Sequence, residues 1–234
     1  MGSVAGRTAR KGLREILPPL AHNVRQAVKN WRDKNYIGAS DTSKALLIYW
    51  LNKEIRTNNP FTYYFVQRES IESIIYLYEV FKASDKYELL KLDSSGRISL
   101  NMFPETWTRY VIKMATGSGK TKVMSLAIVW SYFHKLYEKE SNLSKNFLVI
   151  APNIIVLNRL LKDFNNFDIF RNDPLLPDNG YKDRDWQNDF FRITLHIQDE
   201  VKQINDDGNI FVSNIHRVYV NNKKTYSIMK RYKN

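Results

Sequence analysis

Val111-Ile112-Lys113-Met114-Ala115-Thr116-Gly117-Ser118-Gly119-Lys120-Thr121 leads from a β-prone run into the start of a long apolar helical pattern. Gly117 and Gly119 open backbone angles closed to residues with a Cβ. A sharp turn there gathers several N–H groups at a helix N-terminus, whose dipole already favours an anion. Lys120 adds an ammonium that reaches further phosphates, Thr121 offers a hydroxyl to Mg²⁺, and Ser118 fills the tip. The stretch reads as a phosphate-binding loop, because strand, glycine turn and helix follow in the order that such a loop needs. Ala115, Thr116, Gly117, Ser118, Gly119, Lys120 and Thr121 are the candidate ATP-binding residues. Lys120 and Thr121 are also the candidate catalytic residues, and Thr121 the candidate metal ligand. The general pattern asks for glycine where this chain has Met114.

The elements around the loop alternate. Arg109–Lys113 is expected as a strand and Lys120 to about Tyr137 as a long helix. Asn146–Ala151 reads as a second strand broken by Pro152, and about Ile155–Phe164 as a helix. Phe170–Asp189 is loop-like, with Pro174, Pro177 and Gly180. Arg192–Ile197 and Asn209–Ser213 read as further strands. Strands alternating with helices predict an α/β fold with a parallel sheet and crossovers.

Upstream the pattern is helical. About Ala21–Arg32 carries Val24, Ala27, Val28 and Trp31 on one face, after Pro18-Pro19 interrupt any period. A second helix, capped by Asp41 or Thr42, carries Ala45, Leu46, Ile48, Tyr49 and Leu51 and is stopped by Asn58-Asn59-Pro60. Phe61–Val66 is expected to be extended, about Glu69–Phe81 to be helical, and Tyr87–Leu92 with Arg97–Met102 to form a β-hairpin around Asp93-Ser94-Ser95-Gly96.

The 234 residues suffice for one substantial core, or a core with a helical appendage. No apolar run approaches the roughly 20 residues that span a bilayer, and the absence of cysteine excludes disulfides and Cys-ligated zinc. A cytoplasmic location is expected. The net charge of +12 sits at the ends. Residues 1–34 hold eight Lys/Arg and two acids, residues 217–234 hold six Lys/Arg and no acid, and the middle is neutral. Such basic flanks suit a phosphate backbone or serve as solvated tails.

The loop Met114–Thr121 resembles the first helicase motif of superfamily 2. Within it the chain is most similar to the helicase subunit of type III restriction enzymes and its DEAD/DEAH-box relatives, in which the position of Met114 is not restricted to glycine. Three more segments resemble that family in the right order. Tyr64-Phe65-Val66-Gln67-Arg68-Glu69-Ser70-Ile71-Glu72 resembles the segment whose glutamine reads the adenine edge, a task suited to a carboxamide that both donates and accepts. Phe147–Asn153 resembles the strand and proline turn that touch a nucleic-acid backbone, and Ile210–His216 a later strand end along the same track. The resemblance implies ATP and Mg²⁺ as cofactors and Gln67 as a nucleotide contact. It also implies Pro152, Asn153, Asn214 and His216 as nucleic-acid contacts, with DNA as partner, RNA left open, and a modification or specificity subunit as a further partner.

The expected fold is therefore an incomplete RecA-like P-loop NTPase lobe over residues 61–234, preceded by a basic helical segment over residues 1–60. The family's Asp-Glu pair, which holds Mg²⁺ and orients the attacking water, follows the segment matched at Ile210–His216. The chain reaches Asn234 without it, so an N-terminal fragment of a DNA-dependent ATPase, with negligible turnover of its own, is expected. Asp199-Glu200 is the one Asp-Glu pair. It precedes the Asn214 segment and is a weaker candidate. A non-catalytic nucleotide- and nucleic-acid-binding module is the alternative. A small P-loop phosphotransferase is another, for which Arg171, Arg184 and Arg192 would have to supply a lid.

Overall fold

The first helix opens at Pro19, two residues before the expected start near Ala21, with Pro18 as its N-cap. Pro19 occupies the first turn of helix α1 (Pro19–Asp33), where its missing N–H costs nothing. The computed structural model describes residues 18–56, 61–96, 109–171, 174–177, 185–186, 192–198, 200 and 203–218. The described backbone forms two compact units that divide between Val123 and Met124.

In the first unit, α1 buries Val28 and Trp31 and packs on α3 (Phe65–Ile75). Helix α2 (Asp41–Leu51) buries Leu46, Leu47 and Trp50 completely. Its cap is Ser40 rather than Asp41 or Thr42: the Ser40 hydroxyl accepts from Ser43 N at 3.1 Å. It ends at Leu51, before Asn58-Asn59-Pro60, which lie outside the described residues. Helix α3 starts at Phe65, four residues earlier than the periodicity predicts, and passes into a π-helical turn over Tyr76–Val80.

A buried polar cluster joins these helices. The Glu72 carboxylate, fully buried, accepts from both Arg32 Nε at 2.7 Å and Arg32 Nη2, and from the Tyr36 hydroxyl at 2.7 Å. The hydrogen bond to Glu72 raises the Arg32 pKa, and burial raises that of Tyr36. Tyr36 also holds φ at 57°, a backbone region unfavourable for a residue with a Cβ.

Tyr87–Leu92 is not a hairpin arm. Lys86–Leu90 form helix α4, because the Asp85 carboxylate accepts from Tyr87 N at 2.8 Å and Glu88 N at 3.1 Å and so nucleates a helical turn. The other arm, Arg97–Met102, lies outside the described residues.

In the second unit the sheet is parallel in the order β1-β3-β2, from β1 (Asn146–Ala151), β2 (Thr194–Ile197) and β3 (Asn209–Asn214). Asn146 lies opposite Asn209 and Ala151 opposite Asn214, while Thr194 pairs with Asn209 on the other side. Helix α5 (Lys120–Tyr137) is apolar on most sides. From Ser125 to His134 every residue except Ala127 is buried. Helix α6 (Ile154–Phe164) packs on β1 and β3 through Leu157, Leu160 and Phe164. Helix α7 (Asp168–Arg171) follows it. The expected loop around Trp186 is partly core: its ring lies 4.5 Å from Phe133 and 5.1 Å from Tyr137.

The mixed α/β architecture with a parallel sheet and flanking helices is that of an incomplete RecA-like lobe. Arg109–Lys113, expected as a strand, has no ladder partner among the described residues. Val111 is 83% exposed. A β-prone run becomes a strand only where a neighbour supplies hydrogen bonds.

Candidate functional site

The phosphate-loop segment is anchored before it turns. The Tyr110 hydroxyl donates to Ala83 O at 2.9 Å, and burial raises the Tyr110 pKa. The loop then reverses at Gly117 (φ 79°) and Gly119 (φ 85°), both in the left-handed region open to glycine. Ser118 closes the tip, its N–H donating to Ala115 O at 3.3 Å and its hydroxyl at 2.6 Å. The first helical bond of α5 runs from Val123 N to Gly119 O at 3.2 Å. The N–H groups of Lys120, Thr121 and Lys122 therefore lie in the first turn, where a helix has no acceptor for them. They converge on the point where the dipole favours an anion.

Lys120 reaches back across the loop. Its ammonium donates to Met114 O at 3.0 Å and Ala115 O at 2.7 Å, and the residue remains exposed. An ammonium has three donors, so one stays available beyond these two bonds. Ala115, Thr116 and Gly117 are exposed, whereas Thr121 is half-buried at the second position of α5. Together these groups fit a triphosphate: N–H donors at a helix start, a cation held over the turn, and a hydroxyl one residue on.

Gln67 is in contact with this loop. It is 4% exposed, on the first turn of α3. Its Oε1 accepts from Tyr64 N at 2.9 Å, and its Nε2 donates to Ser118 O at 3.1 Å. A Cβ at Gly119 would come within 2.2 Å of the same Nε2. The carboxamide thus closes the start of α3 and fastens it to the loop tip, a structural role that the sequence reading did not include. The signal was present as Tyr64 and Gln67 at capping-box spacing, with a glycine needed where the side chain lands.

The other candidate residues gather in the second unit. Because β1 and β3 are parallel and Ala151 is in register with Asn214, both strands end at the same carboxyl edge of the sheet. Pro152 and Asn153 leave β1 there and are exposed. Asn153 caps α6, its Oδ1 accepting from Val156 N at 2.9 Å. Asn214 is buried, and its Oδ1 accepts from His216 N at 2.9 Å. That bond starts the short helix α8 (Ile215–Val218) and leaves His216 exposed. Carboxyl edges of open α/β sheets are where ligands bind. Asp199 of the Asp-Glu pair lies outside the described residues, and Glu200 forms an isolated bridge with Ile197.

A family model described as type III restriction enzyme, res subunit, matches residues 61–233. The chain belongs to this family. Membership carries an ATP-dependent, helicase-like function directed at nucleic acid. No curated protein and no solved structure matches the chain. Among the described residues of this res-subunit relative, no helix is long and apolar enough to cross a membrane.

Proposed function

We propose that this chain is the ATP-binding portion of a DNA-dependent helicase or translocase of the restriction-modification type. The observation that carries the proposal is the loop itself: two left-handed glycines, the open first turn of α5 and the Lys120 ammonium, all directed at one point. The backbone from Ala115 to Gly119 would hold the phosphates, and Lys120 would neutralise the outermost charge. Thr121 would offer its hydroxyl to Mg²⁺. Bound metal and triphosphate would supply the chemistry of phosphoryl transfer. Gln67 would set the loop against α3, its remaining amide valences being those that could meet a base edge.

Pro152, Asn153, Asn214 and His216 would form the nucleic-acid contact. The shared carboxyl edge supports this reading, since it puts two exposed turns side by side. The basic ends of the chain would add sequence-independent attraction for phosphate. The family's description supports restriction as the setting, and DNA rather than RNA and a modification or specificity subunit as partners are part of the same proposal.

Calorimetric titration of Mg-ATP into the full chain, beside Lys120→Ala, tests the cradle. Binding that Lys120→Ala abolishes while the melting temperature holds is the expected result. Equal binding by both proteins would overturn the assignment. A companion assay of DNA-stimulated hydrolysis separates an ATP-driven motor part from a module that holds nucleotide without turning it over.

A further inference from the structure

The first unit carries an exposed aromatic pair outside both candidate sites. Tyr64 is 71% exposed and Phe65 55% exposed, at the start of α3. Two guanidinium groups lie over the Phe65 ring, Arg25 at 5.8 Å and Arg68 at 5.7 Å from its centroid. Arg25 comes from α1 and is held in place by Glu69, whose carboxylate lies 2.9 Å from its Nε. Arg68 has no carboxylate partner among the described residues. Large exposed rings are costly to leave in water unless they meet a partner. Here they are bordered by cations rather than by the acids that keep an ordinary helical surface solvated.

Phe65 does not point to the phosphate loop. Gln67, two residues on, reaches Ser118, and side chains two apart on a helix diverge by about 200°. The Phe65 ring therefore belongs to another face of α3 than the one that holds the loop, while Tyr64 stands before the helix as its N-cap.

We propose that Tyr64, Phe65, Arg25 and Arg68 form a stacking platform for single-stranded nucleic acid, built from residues other than those of the carboxyl edge. Bases stack on the exposed Tyr64 ring and on the planar guanidiniums that Phe65 supports, which every base face permits, and the guanidinium N–H groups take the neighbouring phosphates. The charge favours this occupant over a protein surface: the site holds two arginines and one acid. The inference rests on the reading of the chain as nucleic-acid-directed. It adds a contact that recognises unpaired bases without reading their order.

Fluorescence anisotropy on the full chain tests it, with labelled oligothymidylate, oligouridylate and an abasic oligomer of equal length. Wild type should bind the two base-bearing strands more tightly than the abasic one. Tyr64→Ala/Phe65→Ala should weaken base-bearing strands by about 5- to 150-fold and bring them level with the abasic strand. Arg25→Gln/Arg68→Gln should weaken all three and flatten the dependence on salt by roughly 0.7 per lost phosphate contact. The aromatic pair is a surface change and the two arginines are half-buried, so equal melting temperatures are the check that each variant chain stays folded. Wild-type binding unchanged in the aromatic variant overturns the platform alone, whereas no binding of any strand by wild type overturns it together with the nucleic-acid reading. Loss of Mg-ATP affinity in the aromatic variant, with strand binding intact, assigns the rings to the nucleotide instead. Capture of a protein partner with strand binding intact assigns them to that partner. Either result overturns the proposal.

Discussion

Gln67 Nε2 donates to Ser118 O at 3.1 Å, and this bond links the first turn of a helix to the tip of a loop 51 residues later. The Gly119 position lies directly beneath the same amide. Substitution there meets two separate costs, a left-handed φ and a collision.

Gly119→Ala should therefore weaken Mg-ATP binding more than Gly117→Ala. At Gly117 nothing lies within 4 Å of an added Cβ, so the backbone strain of about 1–2 kcal/mol acts alone. Calorimetry on the two variants checks the order. Equal losses at both glycines would show that the collision has no consequence for the loop.

Glu72 is buried among its partners, so its removal leaves the Arg32 guanidinium and the Tyr36 hydroxyl without an acceptor. Glu72→Ala should lower the unfolding free energy by about 3 kcal/mol, as removal of one member of a buried pair does. Urea titration followed by far-ultraviolet circular dichroism measures it. A change below about 1 kcal/mol would reduce the cluster to a surface-like pair.

Asn209 joins the strands at the amino end of the sheet. Its Oδ1 accepts from His196 Nε2 at 2.8 Å and Asn205 N at 3.0 Å, and its Nδ2 donates to Asn146 Oδ1 at 2.8 Å and Asn205 O at 2.6 Å. All its valences are used, which sets His196 in the tautomer protonated at Nε2. Asn209→Ala should cost about 1–3 kcal/mol, since the buried His196 ring loses its acceptor while Asn146 and Asn205 can turn to water. Nitrogen-detected spectra of the histidine ring should show protonated Nε2 in wild type and a mixture in the variant.

Alkaline pH should destabilise the first unit. Burial, with smaller contributions from nearby groups, raises the pKa of both Tyr36 and Tyr63 above the ordinary value of 10.0. The unfolded chain then loses these phenolic protons more readily than the folded one. The stability they confer is complete below the unfolded value and declines as pH rises from there through the folded values. The urea midpoint should fall above about pH 10, with a shallower fall in Tyr63→Phe. Identical slopes would place the alkaline sensitivity elsewhere.

The sequence by itself determined the loop from Met114 to Thr121, the helix Lys120–Tyr137, the strand Asn146–Ala151 and the family. Each of these rests on local chemistry, through glycine at left-handed angles, apolar periodicity over many residues, and a proline that ends a strand. Tertiary structure alone decided the rest. Arg109–Lys113 has strand propensity but no ladder partner among the described residues, and Tyr87–Leu92 became helical once Asp85 supplied a cap. Asn153 and Asn214 met at one sheet edge only through the parallel register of β1 and β3. Gln67 reached Ser118 only because α3 carries it there. Contacts between residues far apart in the chain depend on how the elements pack, and no local pattern encodes a partner 51 residues away.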